Sequence, residues 1–98
     1  MTSSDQLKSA HLEHLAMEGF SQFPQVTAIY RDIAHGEIVL WVFTDNEEYD
    51  NDLMDALITV EQKILDLYPN ISIEYAPLVL YSGPKAVVSE RATPILQR

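Results

Sequence analysis

His11, His14 and Glu18 are the residues whose types and spacing come nearest to a metal-binding set. Offsets of three and four place side chains on one face of a helix, where two imidazoles and a carboxylate could grip a zinc-type ion. The spacing is easily met by chance, and much of the apolar stripe of the same segment lies opposite. Solvated side chains are therefore the preferred reading, and no metal or cofactor is expected. His35 falls in a predicted turn and has no assigned role.

A second candidate group is acidic. Asp45, Glu47, Glu48, Asp50, Asp52 and Asp55 cluster with no Lys or Arg from 45 to 55. The order does not make a calcium loop, because a ligand position falls on Tyr49 and the required glycine on Asp50. Carboxylates at a helix start are favoured by its dipole, which accounts for them as a solvated end. The sharper reading is a docking surface for a basic partner, with Glu47, Glu48, Asp50 and Asp52 as contacts and with salt-sensitive steering. Glu37 and Glu74 are the only plausible carboxylates on or beside the predicted sheet for acid–base chemistry, and they lie on different strands. No nucleophile elbow is present, and with glycine only at 19, 36 and 83 no phosphate-cradling loop can form.

The elements that must position these residues follow from periodicity. Ile38-Val39-Leu40-Trp41-Val42-Phe43-Thr44 holds six apolar residues in a row, the mark of a strand buried on both faces. Before it, Val26 to Ile33 is rich in β-favouring residues, and Ala34-His35-Gly36-Glu37 reads as a hairpin turn. A first helix is expected from about Ser4 to Ser21, with Ser3 and Gln6 as a capping box. Its stripe is Leu12, Leu15, Ala16, Gly19, Phe20 and Phe23, and the small Ala16 and Gly19 would let it lie close against a sheet. A second helix is expected from about Glu47 to Tyr68, on Leu53, Leu57, Val60, Ile64 and Leu67, and Pro69-Asn70 stops it. Ile71 to Tyr75 alternates as a strand, and a right-handed crossover would set it parallel to the central one. Leu78 to Tyr81 would continue as an edge, Ser82-Gly83-Pro84 would turn, Lys85 to Arg91 would form a helical turn, and Thr93 to Gln97 would return as a short edge strand.

The expected fold is one α+β domain over residues 1–98: a two-layer α-β-β-α-β arrangement, a three- or four-stranded mixed sheet, two long helices on one face and a short C-terminal tail. That topology leaves one sheet face without a long helix. If Leu40 and Val42 meet the helices, then Val39, Trp41 and Phe43 point the other way. The tail of the same chain, a second subunit or another protein should cover them.

The 98-residue chain suffices for one packed core. It has no cysteine, so disulfides and thiol chemistry are excluded. The N-terminus lacks a secretory pattern, and no apolar run approaches the roughly 20 residues of a membrane span. A cytoplasmic protein that does not enter membranes is expected. Fifteen carboxylates against six Lys and Arg give a net charge of −9, which disfavours nucleic acid and permits a basic protein partner.

The central strand, the helix ending Leu65-Asp66-Leu67-Tyr68-Pro69, the strand Ile71–Tyr75 and the closing Ala92-Thr93-Pro94-Ile95-Leu96-Gln97-Arg98 resemble the later part of small nucleotidyltransferase-fold proteins. The resemblance covers residues 26 to 98. That family uses a Gly-Ser turn, an Asp-x-Asp pair on the central strand and a third carboxylate on a later strand. Here no Gly-Ser dipeptide occurs, the pair positions hold Glu37 and Val39, and Glu74 alone falls near the third place. Two metal ions cannot be held by that remnant, so the resemblance implies a non-catalytic relative.

The functional expectation is an acidic protein acting through protein–protein contact, as a homodimer or an antitoxin- or adaptor-like member of a pair. Val39, Trp41 and Phe43 are the apolar contact candidates. The alternative is an enzyme or small-ligand protein with a site near Glu37, Glu74 and Tyr75.

Overall fold

The chain runs α1 (Ser3–Phe20), β1 (Val26–Ala34), β2 (Glu37–Thr44), α2 (Asn51–Leu67), β3 (Ser72–Pro77) and β4 (Thr93–Gln97). This is a computed structural model that describes residues 3–45, 51–77 and 88–97, with the side chains of 3–9 and 77 outside that description. The capping box, the start of the second helix before Asn51, the 78–81 edge and the turn at 82–84 lie outside the described residues.

The α+β fold is the expected one, and its sheet has four strands in the order β3-β2-β1-β4. β1 pairs antiparallel with β2 through a two-residue turn, in which His35 and Gly36 both take positive φ, 54° and 78°. Such a turn matches the twist of the strands it joins. β3 lies parallel to β2, as a strand–helix–strand crossover requires, and β4 pairs antiparallel with β1 at the other edge. Both prolines sit where a missing N–H is tolerated: Pro77 ends edge strand β3, and Pro94 lies beside a register shift in edge strand β4.

One face of the sheet carries both helices. Leu12, Ala16 and Phe20 of α1 and Leu53, Leu57 and Ile64 of α2 form a single core with Val26, Ile29, Leu40 and Val42. On this side Arg31 donates from Nε to Glu13 Oε1 of α1 at 2.9 Å, which ties the helix to the sheet through polar atoms as well.

Two expectations need correction. Gly19 closes on the second helix rather than on the sheet: a Cβ added there would run into Val60 Cγ1. The contact follows from the stripe, because Leu12, Ala16 and Phe20 occupy its centre and leave Gly19 at the flank facing α2. The helical turn at Lys85–Arg91 is also absent from its described part, residues 88–91. Here the Ser89 hydroxyl oxygen accepts the Arg91 amide at 3.2 Å, and the Ser89 carbonyl accepts the Ala92 amide at 3.1 Å. A side chain that bonds its own backbone in this way competes with the helix.

Candidate functional site

The face of the sheet opposite the helices, here the far face, is built by alternation along β2. Leu40 and Val42 enter the helix-side core, so Val39, Trp41 and Phe43 project the other way. Phe43 forms a second, smaller core with Ala28, Tyr30 and Ala76, against which Trp41, Val88 and Ala92 pack. Trp41 stacks on Phe43 with ring centres 6.4 Å apart, and Tyr30 meets Phe43 edge-on at 5.9 Å. Gln97 Nε2 donates to the Tyr30 hydroxyl at 2.6 Å and fixes that ring from β4.

Phe43 is fully buried, with the chain's own Val88 and Ala92 packed against its cluster. Of the three apolar contact candidates, only Val39 and Trp41 are half-buried and reach the surface. Directly beside them in register stand Ser72, opposite Val39, and Glu74, opposite Trp41. Glu74 is exposed. Neither β2 nor β3 contains Lys or Arg.

Asp32 is the polar residue of this face that sequence reading missed. It is buried on β1, and its cross-strand partner is Val39. Its Oδ2 accepts the Ser89 amide at 2.8 Å, and Oδ1 accepts the Ser89 hydroxyl at 2.5 Å and the Ile33 amide at 2.8 Å. Burial by itself raises the pKa of such a carboxyl. The bonds from the Ser89 hydroxyl, the Ser89 amide and the Ile33 amide outweigh it and hold the group below the ordinary 3.8. No local spacing announces this contact, since the partners are 57 residues apart. The one signal is an aspartate at the inward phase of an apolar strand, two residues after Tyr30. Such a group demands donors from elsewhere in the chain.

The other candidates are dispersed. Glu37 begins β2, four residues before the level of Glu74, which places the two about 13 Å apart along the strands. Tyr75 points to the helix side, where its hydroxyl donates to Glu61 Oε1 at 2.9 Å and its ring meets Phe20 edge-on. Burial first, then the Glu61 hydrogen bond and negative charge, push its pKa above the ordinary 10.0. The phenol is a structural donor, and the three residues form no common site.

His14 pairs with Glu18 at 2.9 Å, both well exposed, while His11 Nδ1 bonds the Tyr68 hydroxyl at 2.5 Å. Among the described residues, no group of three His, Cys, Asp or Glu is placed to hold a metal ion. Glu47, Glu48 and Asp50 lie outside the described residues; Asp52, in the first turn of α2, is exposed. No described helix is long and apolar enough to cross a membrane.

The arrangement is a two-layer α+β sandwich with one helix-covered face and one face on which, among the described residues, Val88 and Ala92 pack over the Phe43 cluster. No protein-family model matches the sequence, and no curated protein matches it. Among solved structures, the fold is similar to a chain in the complex of a tri-AMPylated Shewanella oneidensis HEPN toxin with MNT antitoxin. The TM-score is 0.57 at 15% identity, over 91% of this chain and 72% of that one. At that identity the likeness is one of fold.

Proposed function

We propose that this chain is a non-catalytic relative of nucleotidyltransferase-fold proteins that acts in the cytoplasm through protein–protein contact, as the acidic, antitoxin- or adaptor-like member of a pair. The observation that carries the reading is the β2–β3 part of the far face. Val39 and Trp41 are half-buried there, exposed Glu74 stands beside Trp41, and neither strand holds a basic residue. An apolar ledge with a carboxylate rim suits a partner that offers an apolar side chain next to Lys or Arg. The net charge of −9 favours such a partner over a second copy of the chain. A fold shared with a chain of a toxin–antitoxin complex supports the same direction. The dispersed Glu37 and Glu74 support the non-catalytic part.

Affinity capture with wild-type, Trp41→Ala and Glu74→Lys baits, quantified by mass spectrometry, tests the reading alongside sedimentation of the pure chain. A basic protein held by wild type and lost from both folded variants is the expected result, with a monomer in isolation. Identical capture by all three baits would overturn contact through this face. A dimer that Trp41→Ala dissociates would replace the heteromeric pair with a homodimer.

A further inference from the structure

We propose that residues 88–92 form a strap over the far face, latched shut by the Asp32 carboxylate, and that its release uncovers Tyr30 and Phe43. The inference goes beyond the contact reading, because it concerns how this face is closed rather than what docks beside it.

Three observations carry it. First, the strap has little apolar grip. Ser89, Glu90 and Arg91 are exposed, and only Val88 and Ala92, two small side chains and both half-buried, pack on the Phe43 cluster. Second, its polar grip is concentrated at one point. Ser89 spends both its amide and its hydroxyl on Asp32, at 2.8 and 2.5 Å. Bonds to an ionised carboxylate are the stronger kind, and they vanish together when the one acceptor is lost. Third, a cleft of about 290 Å³, partly open to solvent, is lined among the described residues by Tyr30, Val88, Ser89, Glu90 and Ala92, so water has access to the edge where strap and sheet meet.

Among the described residues, no charged neighbour sets the latch. Glu90 and Arg91 are exposed on the strap, Arg31 faces the helix side with Glu13, and the β2 partner of Asp32 is Val39. Among the described residues, the carboxylate is held by hydrogen bonds from Ser89 and Ile33.

Amide exchange followed by NMR on the isotope-labelled full chain tests the proposal. In Asp32→Ala, which leaves Ser89 no acceptor, exchange at Ser89 and Ala92 should quicken about tenfold or more, while Ile29, Leu40 and Val42 keep their protection. Binding of an apolar dye should rise in parallel. Ser89→Ala should have a smaller effect, since the amide bond to Oδ2 survives. Unchanged exchange at Ser89 in Asp32→Ala would overturn the latch. Loss of protection in β1 and β2 in step with the strap would overturn it too, because Asp32 would then hold the fold as a whole. Should Asp32→Ala fail to fold, acid titration of the wild type decides. Strap resonances should shift before those of β1 and β2 as the pH falls, and a single simultaneous transition would sink the idea.

Discussion

On the helix side of the sheet, Ile29, Leu40 and Val42 are fully buried beneath two helices. On the far side, Phe43 is equally buried, yet described residues 88–92 contribute only Val88 and Ala92 to its apolar cover. The two faces belong to the same strands and differ in how they are closed. The helix side is closed by many apolar contacts, each replaceable in part by its neighbours. The strap is closed onto the far side by a few directed bonds to one carboxylate, which are complete or absent. A face of the first kind is a core. A face of the second kind can be opened without unfolding the protein.

The sharpest way to break this comparison is to truncate an aromatic side chain on each side. Phe20→Ala should cost about 3–5 kcal/mol in urea unfolding, the usual loss for a fully buried ring. Trp41→Ala, half-buried on the far face, should cost about 1–2 kcal/mol despite its larger ring. Equal losses would show that the far face is as much a core as the other.

The next effect concerns Asp32 and acid. Its native carboxyl binds a proton less readily than the unfolded one. Its contribution is therefore complete above the ordinary value of 3.8 and is lost as the pH falls through the lower native value. Asp32→Asn should remove about 1–3 kcal/mol at neutral pH and flatten that acid limb of the stability curve, measured by denaturant midpoint against pH.

A smaller effect tests the packing of the helix layer. Gly19→Ala places a Cβ against Val60, whose β-branched side chain has little rotamer freedom in a helix. Overpacking of about 1–3 kcal/mol, less about 1 kcal/mol of improved helix propensity, leaves a net loss in thermal or urea unfolding. In a Val60→Ala background the same change should become neutral or stabilising.

The smallest effect lies at the turn that sets which side chains reach which face. His35 holds φ of 54°, which asparagine adopts more readily. His35→Asn should stabilise by about 0.5 kcal/mol in the same unfolding measurement. A loss instead would show that the His35 side chain contributes something the backbone does not reveal.

Much of this fold was legible because it rests on local periodicity. The unbroken apolar run at 38–43 required cover on two sides, and its alternation separated Leu40 and Val42 from Val39, Trp41 and Phe43. The turn was readable from Gly36, although His35 shares the positive φ. What the periodicity could not show was which parts of the chain meet across long separations. Asp32 finds Ser89, Gly19 finds Val60, and Tyr75 finds Glu61 without any spacing rule to connect them. The first of these determines how the far face is closed, so the part of the site least visible in the sequence is its cover. The register of β1 was also obscured. A shift between Val26 and Ala28 puts both into buried clusters on opposite faces, where strict alternation would have kept them together.

The pairing of β1 has a consequence in time. Its β2 edge closes from a turn in which Ala34 and Glu37 are three residues apart, whereas its β4 edge joins Arg31 to Thr93 across 62. Short closures form in microseconds, and long ones must first bear the entropy of a large loop. The hairpin should therefore be the earliest part of the sheet to assemble and β4 the latest. During synthesis, the hairpin and both helices leave the ribosome before the residues that close the far face. Val88 and Ala92 are thus added to the far face after the strands and helices on which they rest.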